Sequence, residues 1–331
     1  MTEVIFLALP FFGLIFLGFV AGKIWKKDED ALGWLNIFVI YFALPALFFQ
    51  LISKTPIEQL ANWRYVFTTS LATYTAIAVA FSFAVLRNRG NLAEATIQGL
   101  VGGYGNIGYM GPPLAILALG SEAAVPVALI FCFDVALVFI LVPLLMALTG
   151  NRGQSIGRTL ISIPGRVLMH PFIVATIAGV AAAAWQIRVP AVGEHLLTFL
   201  RSSAAPCALF ALGVTVALRP LKKFPGELPI LIMIKLLVHP LFVYLLLSWI
   251  GGFDRIWVYA AVLMACLPPA ATIYVLATQY NVYVERASSG ILTGTACSVL
   301  TVTLVLYLIT EGLLPDEPIS MIGGYMPWSG R

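Results

Sequence analysis

The chain has 331 residues, of which 60% are hydrophobic and 10% charged, where a soluble domain carries about 25% charged residues. Its small net charge of +4 sits in short loops and excludes a nucleic-acid surface. The longest stretch between apolar segments, residues 149–169, excludes a soluble domain large enough for chemistry of its own.

A membrane-spanning helix needs roughly 20 mostly apolar residues. Ten segments meet that need: 4–22, 32–53, 65–86, 93–119, 123–148, 170–187, 196–218, 228–250, 256–279 and 289–313. The first follows Met1-Thr2-Glu3, with no positive charge, and no small-x-small pattern precedes Lys23, so it is expected to be a span and not a cleaved signal. With ten alternating spans, one set of loops holds Lys23, Lys26, Lys27, Arg87, Arg89, Arg152, Arg158, Arg166, Arg219, Lys222, Lys223 and Arg286. The other holds Lys54, Arg64, Arg188, Arg255 and Arg331. Twelve against five puts the first set in the cytoplasm and both termini outside a cell (inner) membrane. The four cysteines (Cys132, Cys207, Cys266, Cys297) fall inside apolar segments without metal-ligand spacing and read as packing residues, with no metal or cofactor expected.

The second span carries Ala43-Leu44-Pro45-Ala46-Leu47-Phe48-Phe49, and the seventh carries Ala204-Ala205-Pro206-Cys207-Ala208-Leu209-Phe210. The fourth and ninth each carry a proline pair, Pro112-Pro113 and Pro268-Pro269. The offset is five spans each time. Five is odd, so the second half enters the membrane from the opposite side, as inverted repeats do. The expected architecture is all-α and polytopic. Residues 1–149 form one five-helix repeat, 150–168 a cytoplasmic linker, 169–314 the inverted repeat and 315–331 an external tail.

The fourth span is the most informative. Gly99, Gly102, Gly105, Gly108 and Gly111 recur every three residues and leave room for another backbone or a ligand. Between Gly99 and Pro113, Asn106 is the one strongly polar side chain, able to donate and accept at once. A proline removes a backbone donor and breaks the helix. In lipid such breaks survive only inside protein or beside a water-filled cavity. Each pair is expected to open a new half-helix, whose unpaired N–H groups attract an anion. The preceding half-helices end in carbonyls that attract a cation, so dipoles alone leave the sign of a ligand open.

Side chains favour the anion. Neither break contains Asp or Glu, while Lys235 and His239 lie four apart in the eighth span and Arg201 lies in the seventh. Asp134, in the fifth, is the one deep carboxylate. Intramembrane ionisable groups are functional hypotheses by default. Each also has a structural reading. Lys235 and Arg201 can snorkel to an interface, His239 can bond a carbonyl freed by Pro240, Asp134 can pair with a base on another helix, and a proline pair can be a plain kink.

At these residues the chain resembles the auxin efflux carrier family in its bacterial form. The resemblance rests on Gly105-Asn106-Ile107-Gly108-Tyr109-Met110-Gly111-Pro112-Pro113-Leu114 and on Leu267-Pro268-Pro269-Ala270-Ala271 followed by Tyr274-Val275-Leu276-Ala277. Ten spans and a short central loop extend it over essentially the whole chain. It implies two inverted five-helix repeats, with spans 1, 2, 6 and 7 as a scaffold, often dimeric, and spans 3–5 and 8–10 as a moving domain with spans 4 and 9 crossed. It also implies export or uptake of a small organic carboxylate such as malonate, malate or an auxin, with the family's binding asparagine at Asn106 and its crossover prolines at Pro113 and Pro269. The long hydrophilic central loop of the plant carriers is missing, and the third span lacks their charged support residues.

The expected function is therefore a secondary carrier of a small organic anion. The carboxylate would sit among Gly105, Asn106, Gly111, Pro112, Pro113, Pro268, Pro269, Ala270 and Tyr274, with Asp134, Lys235 and His239 as coupling or charge candidates. Proton coupling or potential-driven movement is favoured over sodium. A channel would need a Ser/Thr/Asp stripe that these spans lack. A sensor would need a signalling partner. An intramembrane enzyme would need His-Glu-x-x-His, a carboxylate dyad or Gly-x-Ser-x-Gly, none of which occurs.

Overall fold

The computed structural model describes residues 2–26, 29–88, 90–149, 165, 168–218 and 224–315. Most of the expected linker, the tail from residue 316, and Lys27, Arg89, Arg152, Arg158, Arg166, Arg219, Lys222, Lys223 and Arg331 of the charge tally lie outside the described residues.

Among the described residues the chain is all-helical. The helices are α1 (Thr2–Trp25), α2 (Gly33–Ile52), α3 (Trp63–Arg87), α4 (Leu92–Gly103), α5 (Gly111–Leu119), α6 (Ala124–Leu148), α7 (Pro171–Ala184), α8 (Ala191–Leu218), α9 (Leu228–Ile250), α10 (Arg255–Cys266), α11 (Thr272–Tyr280) and α12 (Val284–Thr310). Six of these segments, those around α2, α3, α6, α8, α9 and α12, are long and apolar enough to cross a membrane. The expected fourth and ninth spans are each divided, into α4 and α5 and into α10 and α11. Exposed Trp25, Trp34, Trp63, Trp185 and Trp249 all stand at or near helix ends, where an amphipathic ring meets the membrane–water interface.

Local chemistry sets the boundaries. Asn62, Asn91 and Asp254 accept from the backbone N–H groups of Tyr65, Glu94 and Ile256 and so cap α3, α4 and α10. In α2 and α9 the ladder widens to single π turns at Val39–Ala43 and Ile234–Val238. Each ends two residues before a proline, Pro45 or Pro240, whose missing N–H and bulky ring push the preceding carbonyls out of α register.

Small residues decide which helices meet. A Cβ on Gly213 of α8 would lie 2.0 Å from the Ile15 carbonyl oxygen, and one on Gly18 of α1 would lie 2.2 Å from that of Phe210. The two backbones are therefore in direct contact. α7 packs on α2, α4 on α3, and α10 on α9. At one end of the molecule buried Glu227, just before α9, gathers the ends of three helices. It accepts from the Tyr283 hydroxyl at 2.7 Å and lies 3.5 Å from Arg286 and 3.8 Å from Arg87. Burial and then the Glu227 carboxylate hold the Tyr283 phenol above its ordinary pKa.

Candidate functional site

The two breaks meet. Tyr104 leaves α4 in an extended conformation, and Leu267, which precedes Pro268, does the same at the end of α10, as a residue before proline is steered to do. Gly105 and Pro269 then form an antiparallel bridge. The Asn106 N–H donates to the Pro268 carbonyl at 2.8 Å, and the Ala270 N–H donates to that of Tyr104 at 3.2 Å. Each break so supplies the partners that the other lacks, which is what backbone at membrane depth requires. Two glycines let neighbours support this crossing. Gly103 lies against Ile77 of α3, and Gly294 of α12 lies under the Pro269 ring, where a Cβ would be 2.4 Å from Cδ.

The proline pairs differ from the sequence expectation. Pro112 and Pro113 lie in the first turn of α5, as expected. Pro268 and Pro269 lie in the crossing, ahead of α11, because their backbone is engaged with Gly105 and Asn106. The donor set is also narrower than expected. Both prolines of α5 lack an N–H, and Leu114 N–H is already bonded to the Met110 carbonyl at 3.1 Å. Among the described residues, the N–H groups without a backbone partner at the two half-helix starts are those of Gly111, Ala271 and Thr272.

Gly105, Gly111, Pro112, Pro113, Pro268, Pro269 and Ala270 are all buried, Asn106 is 3% exposed, and Tyr274 is half-buried on α11. Asn106 stands between Gly105 and Ile107, which line a small cavity of about 10 Å³, room for about one water. Asp134 and His239 line it too.

Around that cavity the structure brings together the three ionisable residues, which the sequence offers only as separate candidates. Lys235 Nζ donates to the Ala265 carbonyl and approaches His239 Nδ1 at 3.2 Å. His239 Nε2 lies 3.5 Å from Thr73 Oγ1, and Thr73 donates to Asp134 Oδ2 at 3.1 Å. An ammonium can only donate and a carboxylate only accept. The chain therefore has one consistent sense, from Lys235 through a neutral His239 that accepts at Nδ1 and donates from Nε2, then through Thr73 to Asp134. Lys235 is 0% exposed, which excludes snorkelling. It also emerges from the π turn of α9, which sets its direction. Thr73 and the Ala265 carbonyl are the members that sequence reasoning missed. Thr69 and Thr73, four apart and so on one face of α3, are the weak signal that bears on Thr73.

In front of the crossing, a second cavity of about 360 Å³ separates Leu14 of α1 and Leu47 of α2 from Pro113 and Ile116 of α5. Arg201 of α8, half-buried, is the one charged residue among those lining it. Among the described residues, no three or more His, Cys, Asp or Glu side chains come together as a metal site, and the four cysteines are free.

Comparison with known proteins gives the family. The family profile described as "Membrane transport protein" matches residues 4–306. A "Putative malonate transporter" of Rhizobium meliloti (strain 1021) is 50% identical over 317 residues, covering 96% of this chain and 99% of that protein. An "Uncharacterized transporter" of Methanothermobacter thermautotrophicus is 25% identical over 294 residues, covering 88% of this chain and 93% of the other. A "Probable auxin efflux carrier component 9" of Oryza sativa subsp. japonica is 32% identical over 124 residues, 37% of this chain and 28% of its own length. An all-helical chain with apolar spans, crossed breaks and relatives of this kind belongs to the auxin efflux carrier family of membrane transport proteins.

Proposed function

We propose that the protein is a secondary carrier that moves a small organic carboxylate across the cell membrane by elevator-type alternating access, with the substrate seated at the crossing. The observation that carries this reading is the crossing itself. The backbones of the two breaks pair there, beside buried Asn106 and close in sequence to the Gly111, Ala271 and Thr272 N–H groups that have no backbone partner. Asn106 and the N–H groups of Gly111, Ala271 and Thr272 hold the carboxylate, while Gly105, the two proline pairs, Ala270 and Tyr274 shape its seat. Lys235 adds positive potential from behind. A malonate-like dicarboxylate is the first substrate to examine, since the 50% identical relative carries that name.

The mechanism is read on ten spans in two inverted repeats. The broken pairs match in length, 12 and 9 residues in both halves. Contacts match too, since α1 packs on α8 as α7 packs on α2. The scaffold comprises α1, α2, α7 and α8, and can pair with a second copy. The remaining helices move, tied at one end by Glu227. Coupling is to protons through Asp134 or to the membrane potential.

Uptake and counterflow of labelled malonate, malate and indole-acetate in proteoliposomes test the reading, with pH and sodium gradients imposed separately. Saturable flux that is accelerated by substrate on the far side is the expected result. An Asn106→Ala variant is expected to lose affinity on the order of tenfold, a hydrogen bond to a charged group being worth about 1.5–3 kcal/mol. Unchanged flux in Asn106→Ala removes its assigned role, and a normal pH profile in Asp134→Asn removes the proton switch.

A further inference from the structure

The crossing has a cation side as well as an anion side. α10 stops at Cys266, so its last carbonyls have no partners further along the helix. They carry roughly half a negative charge at its end. A membrane protein satisfies such an end with an ion or a fixed positive group. Here the group is covalent. Lys235 reaches across from α9, fully buried, and donates to the Ala265 carbonyl.

Its place is made for it. A Cβ on Gly105 would lie 3.3 Å from Lys235 Cε, from its Nζ and from the Met264 carbonyl oxygen. The missing side chain of Gly105 is therefore what admits the end of the lysine. The titratable and polar groups facing it come from four helices: Asp134 of α6, Thr73 of α3, His239 on its own helix and Cys266 of α10. No carboxylate lies within ion-pair distance of Nζ among the described residues, because Thr73 and His239 stand between it and Asp134.

We propose that Lys235 is a tethered counterion occupying the cation seat at the carbonyl end of α10, so that the carrier works without a bound sodium ion. This rests on reading the crossing as the transport site. Cutting the side chain back uncovers the Ala265 and Met264 carbonyls, with His239 Nδ1 beside them. Carbonyl oxygens are ligands of the kind hard cations take. Lys235→Ala thus turns a sodium-independent protein into a sodium-dependent one.

The test uses purified wild type, Lys235→Ala and Lys235→Met, with sodium chloride replaced by choline chloride at constant ionic strength. Thermal unfolding is followed without substrate, and counterflow is followed with it. Wild type is expected to be indifferent to sodium in both. Lys235→Ala is expected to lose flux on the order of a hundredfold in choline. It is then expected to recover most of that flux, and a higher unfolding temperature, in a saturable response to sodium. Lys235→Met, which refills the space with an apolar chain, gains neither.

Sodium dependence in wild type overturns the proposal, and that arm needs no variant. A folded Lys235→Ala that ignores sodium in unfolding also overturns it. If Lys235→Ala is not recovered folded, Lys235→Ser carries the same expectation. Because unfolding is read without substrate, a failure of the carboxylate reading leaves this result interpretable, and the reverse holds too.

Discussion

The Thr73 hydroxyl donates to Asp134 and faces His239, so one small group joins an acid on α6 to a base on α9. Thr73→Val keeps the shape and removes the link, leaving the buried Asp134 Oδ2 without its donor. A loss of about 1–3 kcal/mol in stability is expected, read by thermal unfolding in detergent, together with a larger fall in counterflow than Thr73→Ser shows. Equal behaviour of the valine and serine variants would separate Thr73 from the chain. Hydropathy alone makes Asp134, Lys235 and His239 visible, since each is a charged or titratable residue in an apolar run. Their assembly is not visible, because it joins residues 73, 134, 235, 239 and 265 across four helices. No local pattern encodes such separations. Thr73 is harder still, since threonine is ordinary in a membrane helix and here stands among Thr68, Thr69 and Thr75.

Among the elements, α9 shows how a backbone irregularity aims a side chain. Its π turn at Ile234–Val238 precedes Pro240 and contains Lys235. Pro240→Ala restores a donor to the ladder and relieves a helix-interior proline, which is worth up to about 3 kcal/mol. A higher unfolding temperature is therefore expected. Lys235 is at the same time swung off the Ala265 carbonyl, and flux is expected to fall on the order of tenfold to a hundredfold, as misplacement by about 1 Å does. Stability and activity moving in opposite directions is the signature; a fall in both would point to a merely damaged fold.

The breaks themselves were legible at this scale. Proline pairs in two apolar runs placed them within a few residues. Their form was not, because whether a proline opens a helix or joins a crossing depends on the strand opposite. Pro113 faces its own helix, whereas Pro269 faces Gly105.

At the level of the whole molecule, the loop after α2 and the loop after α8 are counterparts under the proposed repeat, and inversion places them on opposite sides of the membrane. Gln59→Cys and Phe224→Cys, both at exposed positions, report this in a background with the four native cysteines replaced. Gln59→Cys is expected to react with an impermeant maleimide in spheroplasts, and Phe224→Cys only after permeabilisation. Labelling of both from one side would rule out inverted repeats. Hydropathy placed the helices to within a few residues, since burial in lipid is the strongest constraint on composition. The lateral arrangement of the helices came from positions such as Gly18 and Gly213, whose meaning appears only when the facing backbone is known.

The half-helices α5 and α11 have nine residues each, a length of about 14 Å. That is close to half of a hydrocarbon core of about 30 Å. A charge held at the crossing therefore stands about half-way down the membrane voltage, and a full passage takes it through all of it. Each elementary charge exchanges about 2.3 kcal/mol per 100 mV on that passage, so valence matters as much as fit. In an interior-negative cell, a carboxylate with two charges is driven outward about twice as hard as one with a single charge. Uphill entry of the doubly charged form is electrically neutral when two positive charges enter with it or two negative charges leave in exchange.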